Sequence, residues 1–97
     1  MVTNSRTYAR PQDLGAARAE DGTLYVMALP DGVPLELNHS AEVIWEVACS
    51  GSERIVQEVA EAFEVDPSDI AGLVAQCLDF LIEHGLVEAS RSHAEEP

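Results

Sequence analysis

Lysine is absent from this 97-residue chain. Its whole basic complement is five arginines, set against 18 aspartates and glutamates, which leaves a formal net charge of −13. A protein that neutralises phosphates needs a basic face, so nucleic acid and anionic membrane are poor partners. A basic polypeptide is compatible with this balance, and so is the plainer role of acidity in keeping a small domain soluble. Long apolar runs are missing as well. No stretch approaches the ~20 residues needed to span a bilayer, and the polar N-terminus M-V-T-N-S-R-T-Y-A-R lacks the apolar segment of a secretory signal. A cytoplasmic location is the expectation that follows. Cysteine is scarce: Cys49 and Cys77 form no C-x-x-C and have no histidine at ligand spacing. Both fall on apolar sides of expected helices and read as reduced, buried thiols.

Recognisable catalytic chemistry is also lacking. His39, Ser40 and Glu42 are triad residue types, but they crowd onto one helical turn. A nucleophile and its base need side chains that converge, usually from separate elements, so these three read as cap and surface residues. His39, His84 and His93 are isolated, and the acidic pairs read as solvated faces. The Asp31-Gly32 turn does not open a helix, so it makes no phosphate loop. Neither an enzyme site nor a metal or cofactor is expected.

What the chain does have is a 46% apolar content, enough for one globular core. Residues 1–12 show no clear pattern and read as a flexible arm. Residues 14–20 are a weak strand candidate, and Asp21-Gly22 supplies a hairpin turn. Residues 23–29, T-L-Y-V-M-A-L, form the strongest strand and are apolar enough to be covered on both faces. After a Pro30-Asp31-Gly32 turn, residues 33–37 alternate, with Val33, Leu35 and Leu37 on one side and Pro34 and Glu36 on the other. At Asn38, a good N-cap, the period changes to helical through Ala41, Ile44, Trp45 and Ala48. A second helix is expected over 53–63, capped by Ser52. A third opens at Asp66-Pro67, with Asp66 as its cap and Asp69 able to reach back, and closes at Gly85. Residues 89–97 read as a disordered polar tail.

The expected fold is therefore α+β and winged helix-turn-helix-like, with a three-stranded antiparallel meander followed by three helices. The third strand is an edge, consistent with Pro34, which cannot donate to a ladder. The third helix is apolar over an arc of about 200°, against the roughly 100° that one packed surface needs. Ile70, Val74, Cys77 and Leu81 form its centre; Leu73 and Phe80 flank one side, and Leu78 and Ile82 the other. An extended peptide could add to the free edge. Blunting by Pro34, or cover by the arm or a second copy, is an equal reading of the same residues. A winged-helix nucleic-acid binder would have the same element order but is opposed by the charge.

Leu37-Asn38-His39-Ser40-Ala41-Glu42-Val43-Ile44-Trp45-Glu46 resembles the LN-x-(T/S)-A-x-x-I-W-E signature of the PqqD-like proteins. Ile55 to Ala60 is similar to their second-helix T-V-x-E-I-A, and Val74, Cys77-Leu78, Leu81 and Gly85-Leu86-Val87 to their V-x-x-(F)L-x-x-L-x-x-x-G-L-(L/V). The resemblance covers residues 14–88 and implies a recognition domain, here residues 13–88, for ribosomally made precursor peptides. It implies that the leader segment lies as an added strand on residues 33–37, against the third helix. The implied peptide-binding residues are Val33, Pro34, Leu35, Glu36, Leu37, Leu73, Val74, Cys77, Phe80 and Leu81. Cys77 departs from a common Phe, and Leu73 and Phe80 stand where the family often has acidic residues. The acidic chain is most similar to the small recognition protein of split lasso-peptide systems, which works with a separate cysteine-protease-like leader peptidase. Relatives that serve a radical-SAM enzyme in PQQ- or mycofactocin-type cofactor maturation are the alternative.

Overall fold

Residues 6–91 are described by a computed structural model. The elements run β1 (Arg6–Ala9), β2 (Leu14–Arg18), β3 (Leu24–Ala28), β4 (Leu35–Leu37), α1 (His39–Cys49), α2 (Ile55–Phe63), α3 (Pro67–Glu83) and β5 (Glu88–Arg91). The strands β2, β3 and β4 form the expected antiparallel meander, followed by the three helices. Alternation makes one face of this sheet a core surface. Leu24, Val26 and Leu37 are buried, while Tyr25 and Glu36 are exposed on the outer face. The expectation that both faces of the central strand are covered is thus corrected, because all three helices gather on the inner side. The register carries Ala17 opposite Tyr25, and Tyr25 opposite Glu36.

The third strand is shorter than expected. It begins at Leu35, and Val33 and Pro34 lie ahead of it with Val33 70% exposed. The arm expected over 1–12 and the tail expected over 89–97 are corrected where they are described. Residues Arg6–Ala9 and Glu88–Arg91 pair with each other as a second, two-stranded antiparallel sheet. Tyr8 of this ribbon packs against the core. Residues 1–5 and 92–97 lie outside the described region.

The helix ends follow local chemistry. The Asn38 side chain accepts from the Ala41 N–H at 2.8 Å, capping α1. Residues 53 and 54 stay outside α2; Ser52 Oγ accepts from the Arg54 N–H at 2.9 Å and donates to Glu58 at 2.8 Å. Asp66 flanks α3 and Pro67 opens it, but Asp66 makes no side-chain cap bond, contrary to expectation. At its other end Gly85 takes φ +73, and the Leu86 N–H reaches the Leu81 carbonyl at 2.8 Å while the Gly85 N–H reaches Ile82 at 3.0 Å. This left-handed stop turns the chain back into the core, where Leu86 is fully buried.

The core joins the inner sheet face to Ile44, Trp45 and Ala48 of α1, Ile55 and Val59 of α2, and Val74, Leu78 and Leu81 of α3. Trp45 is its largest member. Its indole N–H donates to the Leu86 carbonyl at 2.9 Å in a buried bond, and the Arg10 guanidinium lies 5.4 Å above the ring. On the surface, Arg18 of β2 and Glu42 of α1 form an ion pair at 2.6 Å. The Arg18 hydrogen bond, chiefly, holds the Glu42 carboxyl below its ordinary value, with burial opposing it.

Two outcomes are expected. Trp45→Phe should lower unfolding free energy by about 1–3 kcal/mol, through the orphaned Leu86 carbonyl, and Trp45→Ala by about 3–5 kcal/mol, measured by urea denaturation. A depressed carboxylate pKa stabilises the fold above its unfolded value and loses that contribution as pH falls through the folded one. Glu42→Gln should therefore flatten the loss of stability between neutral and acidic pH, read from denaturation curves at both.

Candidate functional site

Two unpartnered features lie over this one core. The first is the outer edge of β4, which among the described strands pairs only with β3. Leu35 and Leu37 face Val26 and Leu24 across the ladder, so Glu36 turns its main-chain N–H and C=O to the free edge, where an incoming strand would meet them. The second is a flank of α3. Leu78 is buried and Ile82 half-buried, so that side of the helix is consumed by packing. On the other side Leu73 is 53% exposed, Phe80 40% exposed and Cys77 half-buried. A wide apolar arc thus resolves into a packed half and an open half. Apolar side chains left in water on one helix face are a surface awaiting cover.

Both features are seated on the same core, and two contacts mark its ends. At one end, His39, directly after β4 and Asn38, meets Phe63 edge-on with ring centroids 5.7 Å apart, and Phe63 ends α2 shortly before α3 begins. At the other, a Cβ on Gly85 would stand 3.3 Å from the Cβ of Ala28, the last residue of β3. Leu35 of β4 and Ile70 and Cys77 of α3 all pack, partly buried, on the same core. Phe80 is propped by the His84 ring at 4.3 Å, and the His84 Nδ1 lies 2.9 Å from the Phe80 carbonyl.

The ten candidate residues do not act as one surface. Leu37, Val74 and Leu81 are 3%, 1% and 0% exposed. They are corrected from contact residues to core, and the Leu37 main chain is turned toward Leu24 of β3. Leu35, Cys77, Leu73 and Phe80 are reachable, Glu36 points outward, and Val33 and Pro34 lie in the turn before the strand. Phe63 and Ile70, at the far end, went unassigned from sequence; their signal is the last and first apolar position of successive helices. Burial raises the pKa of the Cys77 thiol, so it stays protonated near neutral pH.

Among the described residues no cluster of His, Cys, Asp or Glu could hold a metal ion, and no helix is long and apolar enough to cross a membrane. Open hollows mark the described surface. One of about 360 Å³ lies at the end of β4, lined by Arg18, Glu36, His39 and Glu42 among others.

Fold and surface together define a small α+β domain that has both a free strand edge and an open apolar flank on its last helix. The model of the family described as coenzyme PQQ synthesis protein D (PqqD) matches residues 24–87, and the chain belongs to that family. The span runs from the first residue of β3 to the buried Val87. Among solved structures, the chain is similar to one described as TbiB1 in complex with the TbiA(beta) leader peptide, with TM-score 0.68 and 20% identity over 90% of this chain and 99% of that one. At that identity the likeness is one of fold. Comparison with curated proteins finds no match.

The burial pattern separates support from contact in a way that can be checked. Leu73→Asp and Phe80→Asp should leave unfolding free energy within about 0.5 kcal/mol of the parent. Leu81→Ala should lower it by about 2–5 kcal/mol, all read from chemical denaturation.

Proposed function

We propose that this chain is a non-catalytic binding protein for the leader segment of a ribosomally synthesised precursor peptide. The leader adds to Leu35–Leu37 as a further antiparallel strand and covers Leu73, Cys77 and Phe80 of α3. The observation that carries this reading is that a free β4 edge and an open apolar flank of α3 are both seated on one core. Backbone hydrogen bonds to such an edge supply affinity with little regard to sequence, and the alternate side chains, facing the helix, supply selection. Membership of the PqqD family supports the reading, as does the shared fold of TbiB1, whose structure was solved with a leader peptide.

The recognising unit is residues 13–88, with the β1–β5 ribbon as a brace across its ends. In this reading the protein works in the cytoplasm and hands the bound leader to a separate enzyme, a cysteine-protease-like leader peptidase of lasso-peptide-type biosynthesis. The family's description as a coenzyme PQQ synthesis protein favours a second reading, in which the same groove presents a peptide to a radical-SAM enzyme. The bound species is an extended peptide in both, and the enzyme that co-purifies with the loaded complex distinguishes them.

The two cysteines provide a footprint. Both are half-buried and free, and burial is the main cause raising both thiol pKa values. Titration with the leader of the precursor encoded beside the gene should shift the amide resonances of residues 35–37 and of the Leu73–Phe80 flank. It should also slow alkylation of Cys77 while leaving Cys49 unchanged. Resonance shifts that avoid both β4 and α3, or equal rates at Cys77 with and without leader, would sink the proposal.

A further inference from the structure

β4 is three residues long, and Leu35 and Leu37 face inward, so Glu36 is its one outward side chain. A strand added to this edge continues the row that runs from Ala17 through Tyr25 to Glu36. The added residue directly opposite Glu36 points outward beside that carboxylate, and its two neighbours point inward to the α3 flank. We infer that this residue of the bound peptide is a lysine or arginine, flanked by apolar residues, so that Glu36 is a specificity-determining residue of the groove. The inference rests on the strand-addition reading above.

Charge around the edge supports this assignment. The described arginine side chains are engaged or placed elsewhere: Arg10 lies over Trp45, Arg18 is held by Glu42 and the Gly22 carbonyl, and Arg54 lines a hollow with Val47, Gln57 and Glu58. Arg18–Glu42 is the one ion pair among the described residues, so Glu36 is left without a counter-charge of its own. Beyond Phe80, the next ridge of α3 carries Asp69, Gln76 and Glu83 at two-turn intervals, with both acids exposed. The margins of the groove therefore combine an uncompensated carboxylate on the strand with acids on the helix. A second copy of this chain fits the edge poorly, because two-fold pairing along the full strand would set Glu36 opposite Glu36, and like charges directly opposed are destabilising.

A random peptide library displayed on phage, selected against the full chain, supplies the probes. Selected peptides should alternate apolar residues with lysine or arginine. A charge scan of the best binder should reveal one position where replacing the cation with glutamate weakens binding roughly fivefold at low salt. Glu36→Lys should reverse the order of the two peptides, and Glu36→Gln should remove the discrimination; both changes lie at an exposed position that leaves the fold intact, checked by circular dichroism. Binders that shift the resonances of residues 35–37 yet show no response to either Glu36 variant would overturn the inference and leave strand addition standing. Selected peptides that shift neither β4 nor α3, or the absence of any binder, would overturn both.

Discussion

The buried hydrogen bond from the Trp45 indole to the Leu86 carbonyl, 2.9 Å long, sets the relation between the helix that follows β4 and the end of α3. Trp45 lies on the helix into which β4 passes with only Asn38 between them. Leu86 follows the glycine that ends α3. One bond therefore ties the helix that continues from the strand edge to the end of the helix whose flank is open. Buried polar groups are costly to leave unpaired, so the bond acts as a constraint as well as a source of stability. The close approach of Gly85 to Ala28 holds the same end of α3 against the sheet.

A strand edge that takes up a peptide must still avoid its own kind. This one is brief, is preceded by Pro34, and presents a single outward charge. These are the means by which edges are kept from pairing with other edges. They leave the main-chain groups of Glu36, the β4 residue turned away from β3, available to a partner of complementary charge. The acidic composition, which first argues only against phosphate-rich partners, thus has a local counterpart at the edge itself.

The helices were legible because their signals are local. The Asn38 cap, the Pro67 start and the Gly85 stop each follow from the chemistry of one or two residues, and α1 occupies the expected 39–49. The meander was legible from two turns. The pairing of β1 with β5 was not, since R-T-Y-A and E-A-S-R carry no strong strand pattern and their pairing joins opposite ends of the sequence. Nor did the sequence of α3 distinguish its flanks. Leu73 and Phe80 are as apolar as Leu78 and Ile82, and only the packing of the other elements decides which pair is left in water. Leu37, Val74 and Leu81 looked like site residues because the family motif and the core share a periodicity. Burial separates them.

The β1–β5 ribbon brings Arg6 and Arg91 into register as cross-strand partners, so the chain enters and leaves the fold at one place. A domain with adjoining entry and exit is portable. It can be spliced into a surface loop of a larger enzyme without stretching either host or guest, and the same groove would then travel as a module, with tethering raising the local concentration of captured peptide at the host's active site.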